Sequence, residues 1–330
     1  LAGITLDNFS RAQVAWDKLA RGVARLNAAG VRIGVGTDGG GQNGDITLAT
    51  TLDYDGTGAG TLVPDADGTI VTTVNGNIVD SDLATLDALN LDWNADAITI
   101  GADIDLRGGT ADLAASAGGV ATVGAGVQID ANSIVVASMG AVTLATNTNT
   151  LSVVNNGAAG NIAITEANGL TVASLVNASA AGEISLVSTT GNIGLNNGSV
   201  SSQGGNISLT AVAGAIVDAD VAADAVAAAN LQTLTSITSN GAVSLNAATG
   251  IGTTQVSGLG IGVGAIDTSA ASVSFNNTTS GDVVLRDTGA LTYTGTNTGG
   301  SVSLLIENGT LTVGAAGITT AGGAVTIEVL

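Results

Sequence analysis

The run Gly182-Glu183-Ile184-Ser185-Leu186, followed by Gly191-Asn192-Ile193-Gly194-Leu195 and Gly205-Asn206-Ile207-Ser208-Leu209, decides the fold of this chain. Each segment is a glycine followed by apolar residues that alternate with small or polar ones. Alternation with period two places the apolar side chains on one face of a strand. Gly before the strand, and Gly or Asn after it, supply the turns. The module recurs upstream as Gly44-Asp45-Ile46-Thr47-Leu48, Gly140-Ala141-Val142-Thr143-Leu144 and Gly160-Asn161-Ile162-Ala163-Ile164. Downstream it returns as Gly241-Ala242-Val243-Ser244-Leu245, Gly281-Asp282-Val283-Val284-Leu285, Gly300-Ser301-Val302-Ser303-Leu304 and Gly323-Ala324-Val325-Thr326-Ile327. Several copies stand roughly 20 residues apart, as from Gly140 to Gly160 and from Gly281 to Gly300. Weaker strands such as Gly169-Leu170-Thr171-Val172 lie between them. A repeat of about 20 residues with two or three short strands suits one rung of a parallel β-helix, in which rungs bond at ~4.8 Å. Roughly 14 rungs would then build a rod on the order of 65 Å long.

Composition agrees with a narrow, tightly wound core. The 330 residues include 49 glycines, no Cys, no His, one Pro and six aromatics. The apolar fraction is carried by Ala, Val, Ile and Leu, which stack from rung to rung where large aromatics would overfill. Asn recurs at expected corners (Asn155-Asn156, Asn196-Asn197, Asn276-Asn277), where stacked amides form ladders and tolerate left-handed backbone. The sequence therefore predicts a mostly β chain, a parallel β-helix (β-solenoid) with a short N-terminal amphipathic helix.

That helix is expected over 9–29. Ser10-Arg11-Ala12-Gln13 resembles a capping box, Val14, Leu19, Val23 and Leu26 are read as one helical face, and Gly30 would end it. Residues 1–40 are read as a capping or joining segment, 41–112 as an acidic β-rich start of the solenoid, and 113–330 as its repeats. An Ala-rich stretch, 217–232, reads as a short helix or as a loop-plus-strand excursion from one rung, the excursion being preferred. The chain starts at Leu1 and stops in the strand-like Val329-Leu330, the pattern expected of a processed product or a piece of something longer.

Charge narrows the partners. With 27 acidic and 7 basic residues the net charge is −20, which excludes the clustered cations that nucleic acid requires. Five of the basic residues, Arg11, Lys18, Arg21, Arg25 and Arg32, fall in the first 32 positions. No apolar run is long enough for a transmembrane helix. Fourteen acidic residues lie between Asp38 and Asp112, many spaced i, i+2. On a strand this spacing puts both carboxylates on one face, and in a turn it brings them to one cation. Asp53, Asp55, Asp65 and Asp67 are accordingly the candidate ligands of a calcium ion, the cofactor this chain would take. Solvated carboxylates that confer solubility are the alternative reading of the same residues.

From about residue 140 onward the text resembles the repeats of filamentous-haemagglutinin-like bacterial surface and adhesin proteins. The likeness is carried by Gly241-Ala242-Val243-Ser244-Leu245-Asn246-Ala247-Ala248-Thr249-Gly250-Ile251-Gly252-Thr253, by Thr279-Ser280-Gly281-Asp282-Val283-Val284-Leu285 and by Thr288-Gly289-Ala290-Leu291-Thr292. The resemblance implies secretion, right-handed β-helical rods at the cell surface, and a part in adhesion, aggregation or biofilm matrix; it brings no catalytic residue. A second, smaller likeness joins Ala28-Ala29-Gly30-Val31-Arg32-Ile33-Gly34-Val35-Gly36-Thr37-Asp38 to a strand end of metal-dependent amidohydrolases. Their metal centre needs histidines, and this chain has none.

The same lack removes Ser-His-Asp and Cys-His nucleophiles, and the lone Lys18 falls inside the expected helix rather than in a phosphate loop. The expectation is thus a non-enzymatic structural subunit of an extracellular bacterial fibre, self-associating into filaments by end-to-end strand contacts. Ala324 to Leu330 is the expected joining strand, against Leu1–Leu6 or Val31–Val35. The alternatives are an adhesin stalk that binds host or surface glycan ligands and, less favoured, a polysaccharide-active β-helix enzyme.

Overall fold

The computed structural model describes residues 33–36, 46–48, 51–54, 60–66, 68–72, 74, 76–80, 88–220, 235–252, 264–289, 291–307 and 309–329. They form 29 strands joined in one continuous coiled sheet in which neighbouring strands run parallel. This is a parallel β-solenoid. The helix expected at 9–29 lies outside the described residues, as does most of the excursion at 217–232; its first residues, Ile216–Asp218, form a strand.

While the copies of the glycine-led module at Ile193, Val283, Val302 and Val325 lie elsewhere in the coil, the other six belong to the first face. It comprises β2 (Ile46–Leu48), β5 (Thr69–Thr72), β8 (Ala97–Ile100), β11 (Val120–Thr122), the start of β13 (Val142–Asn155), β14 (Ile162–Glu166) and β16 (Ile184–Ser188). It continues through β19 (Ile207–Ala211), β22 (Ala242–Ala247), β24 (Ser272–Asn277), β26 (Leu291–Asn297) and β28 (Leu311–Thr320). The first apolar position stacks in strict register: Ile46, Ile70, Ile98, Val120, Val142, Ile162, Ile184, Ile207, Val243, Val273, Tyr293, Val313. All but the last are buried. These are twelve levels, fewer than the rung count expected from even spacing, because the step varies. It is 20 residues from Val142 to Ile162 but 36 from Ile207 to Val243, so one turn carries a long insertion.

The second face contains β1 (Ile33–Gly36), β4 (Gly60–Asp65), β7 (Leu89–Ala95), β10 (Thr110–Ala115), the end of β12 (Ile129–Ser138), the end of β13 and β15 (Leu170–Asn177). A third face, β3 (Leu52–Tyr54), β6 (Ile78–Asp80), β9 (Ile104–Asp105), the start of β12 and the middle of β13, closes the early turns. Above β15 the second face divides. Its first half continues into β17 (Ile193–Leu195) and β20 (Ile216–Asp218). Its second half runs on through β18 (Val200–Ser202), β21 (Ile237–Ser239), β23 (Ile266–Ser269), β25 (Val283–Asp287), β27 (Val302–Ile306) and β29 (Val325–Val329).

The division begins where Glu166 turns its carboxylate inward. Oε2 accepts the Thr146 hydroxyl at 2.7 Å, and Oε1 accepts the amides of Thr148 and Asn168, each at 3.1 Å. One side chain thereby satisfies backbone donors that lose their neighbour when the third face stops.

Two expectations about the core are refined. Asparagine ladders form, at Asn155 over Asn177 and Asn277 over Asn297, each pair fully buried with amide-to-amide bonds of 3.1 and 2.8 Å. The neighbouring Asn156 is exposed, so only one member of that dipeptide enters the ladder. Large aromatics are also accommodated: Trp93, Phe275 and Tyr293 are buried inside the coil. Phe275 fits because the residue stacked on it is Gly295, where a Cβ would lie 2.5 Å from the ring.

Candidate functional site

The acidic N-terminal region was the sequence's one suggestion of chemistry. Of the four candidate calcium ligands, Asp55 and Asp67 lie outside the described residues. Asp53 is exposed on β3 beside Val79, and Asp65 ends β4 in register with Gly36 and Asn94, on a different face of the coil. Among the described residues no group of three or more Asp, Glu, His or Cys side chains is placed to hold a metal ion.

Other carboxylates of this region bond the backbone at corners. Asp80 Oδ2 accepts the Leu89 amide at 3.1 Å, Asp103 Oδ1 that of Gln128 at 3.2 Å, and Asp105 Oδ1 that of Arg107 at 3.1 Å. Arg107 takes a left-handed backbone (φ 51°) and donates its Nε to the Asp80 carbonyl at 2.6 Å. Asp105 makes a local turn by accepting from an amide two residues on, whereas Asp80 and Asp103 accept from amides 9 and 25 positions away. Sequence spacing alone cannot separate this use from cation binding.

A buried charged group sits in the later turns. Asp267 and Arg286 are adjacent in register, both buried, and form an ion pair; Glu307 approaches Arg286 Nε at 3.9 Å. Beside them Asp287 accepts the Thr268 hydroxyl at 2.7 Å and the Gly289 amide at 2.8 Å. Burial pushes the Asp287 carboxyl above its ordinary range, and these two bonds only partly oppose it. Glu166 is raised for the same reason, desolvation outweighing its three donors. Apart from the partly exposed Glu307, these groups are enclosed by the coil, which suits them to holding turns together.

Two features face outward. The first is a shallow groove of about 460 Å³ along the ends of the second-face strands, with Ala95, Ala115, Ala137 and Met139 in its floor and Asn94 and Asp96 on its rim. The second is the last described turn. There Val313, Val325, Ile327 and Val329 are 47, 44, 42 and 51 % exposed. Directly beneath them in register stand Tyr293, Val302, Leu304 and Ile306, which are exposed by 2 % or less. The final turn thus repeats the inward apolar pattern without a layer above it among the described residues. The sequence marks Ala324 to Leu330 as a strand expected to join a neighbour; the structure adds that β28 shares its exposed apolar surface.

No family profile matches this chain, and comparison with curated proteins and with solved structures finds no similar protein either.

Proposed function

We propose that the chain is a structural rod that assembles by end-to-end strand contacts into an extracellular bacterial fibre, matrix or cell-surface filament. The observation that carries this reading is the columnar core, in which each turn lies parallel and in register on the one before. Four aliphatic side chains about half exposed, in columns buried everywhere below, form a surface that a further rung would cover. Covering them contributes on the order of 1 kcal/mol each, given ~1.5–3 kcal/mol for full burial of such a side chain. The parallel strands β28 and β29 bond β26 and β27 on one side, and their other edges suit strand addition. The columnar core beneath suits a load-bearing role, because each turn is held by its neighbours along one axis. The placement at the cell surface rests on the resemblance of the repeats.

Sedimentation and electron microscopy of the purified chain test the proposal. Filaments that grow with concentration are expected, and the pair Val325→Lys and Ile327→Lys should suppress them while leaving the β-sheet circular dichroism unchanged. A chain that remains monomeric at high concentration would overturn the reading.

A further inference from the structure

The faces of the coil differ in the charge they turn outward. On the second face Asp92 and Asp112 stack outward in register, and on the third Asp105 and Asp130 do the same. The strands of the first face turn no charged side chain outward from β2 to β26. One outward column there begins with Thr47, Val71 and Thr99 and runs in register to Ser244, Ser274 and Thr294, every member being Thr, Ser, Ala or Val. From β13 upward a second column, from Ala145 through Thr210 to Thr296, adds only Ala, Thr, Val and Asn. All of these side chains are partly or fully exposed. Some pair with one another along the surface: Asn246 Nδ2 donates to the Ser244 hydroxyl at 3.2 Å, and the Thr296 hydroxyl donates to Asn276 Oδ1 at 2.8 Å. Polar groups that already hold a partner lose less when water leaves.

Charge and area together say what fits this surface. In a chain of net charge −20, two copies that meet through the second or third face set carboxylates against carboxylates. Meeting through the first face avoids that. Its successive levels from β2 to β26, ten steps of ~4.8 Å, make it about 48 Å long. Three residues in β2 and five in β16, at ~3.3 Å each, give a width of about 10–16 Å. Two copies in contact there cover about 500–800 Å² on each, which reaches the total of about 1,000 Å² or more that a specific interface requires. Small side chains on both sides let the sheets close to about 10 Å, and a two-fold axis makes the surface its own complement.

We infer that the first face is a lateral interface on which a second copy of this chain packs face to face, pairing rods side by side. The surface lies on the flank of the coil, so this pairing holds whether or not rods also join end to end.

Analytical ultracentrifugation of the full chain tests it, in the background of Val325→Lys with Ile327→Lys so that end contacts do not contribute. A concentration-dependent dimer is expected, and added salt should strengthen it by screening the net charges. Ser208→Glu with Ser244→Glu sets like charges at the middle of the face and should weaken dimerisation roughly tenfold or more. Ser152→Glu, which points outward on the second face, should leave it unchanged. A chain that stays monomeric up to about 1 mM overturns the inference. A dimer that the paired glutamates leave intact, or that Ser152→Glu weakens equally, also overturns it, because the contact then lies elsewhere. If circular dichroism shows that the glutamate pair disturbs the coil, Thr165→Glu with Thr210→Glu replaces it: loss of the dimer supports the interface, and no change refutes it.

Discussion

Replacing Asn177 tests whether the corner ladder holds the turns together. Its Oδ1 accepts Nδ2 of Asn155 at 3.1 Å and the Ser179 amide at 3.1 Å, while its own Nδ2 donates to the carbonyls of Gly160 at 3.0 Å and Glu183 at 3.2 Å. In Asn177→Ala the Gly160 carbonyl keeps the Asn155 donor and the Glu183 carbonyl keeps the Ile162 amide. The Ser179 amide loses its side-chain acceptor inside the coil. One stranded donor costs about 1–3 kcal/mol and the weakened acceptors add a smaller amount, so the expected loss is about 2–4 kcal/mol. Asn177→Ser should cost less, because the same column holds Ser202 one level above, where a hydroxyl donates to Gly182 and accepts from Gly205, both at 3.0 Å. Asn177→Asp is the sharper probe. It keeps the acceptor but turns the second oxygen toward two carbonyls, which favours the protonated carboxyl in the folded state. A folded-state pKa raised in this way gives stability at low pH that is lost as pH rises. The assay is the urea midpoint of each variant between pH 4 and 8, with exchange at Ser179 as the local readout. An alanine variant within about 0.5 kcal/mol of the parent, or an aspartate variant without recovery in acid, would refute the reasoning.

Other expectations follow from the same geometry. Gly295→Ala would drive a Cβ to 2.5 Å from both the Phe275 ring and its carbonyl oxygen. Calorimetry should show a loss of about 1–3 kcal/mol that Phe275→Leu restores only in part, since the carbonyl cannot retreat. Glu166 has a raised carboxyl, so its contribution to stability declines as pH rises above the ordinary glutamate range. Glu166→Gln removes that decline, and its denaturant midpoint relative to the parent should improve steadily from pH 4 to 7; a pH-independent difference would contradict this. Arg286→Leu leaves Asp267 buried without its ion-pair partner, and equilibrium unfolding should register a loss of about 3–5 kcal/mol. Adding Asp267→Leu should recover much of it.

What the sequence determined by itself is the columnar core. A glycine-led strand with period-two alternation has one way to bury its apolar face when the next copy follows a short turn later. That way is to lie parallel on the copy before, so Ile162, Ile184 and Ile207 stack as the spacing required. The later edge was legible for the same reason, since Val325 and Ile327 repeat the buried pattern of Val302 and Leu304. Carboxylate roles were not legible: Asp103 and Asp105 share the spacing of metal ligands, yet they bond backbone amides, because spacing does not record which donors a turn leaves free. Only the tertiary structure decided the cross-section. Where the third face ends depends on Glu166 reaching Thr148 and Asn168, and Phe275 fits only because Gly295 stacks on it from 20 residues away. Register between turns creates those contacts, and insertions as long as the step from Ile207 to Val243 hide that register from any fixed period.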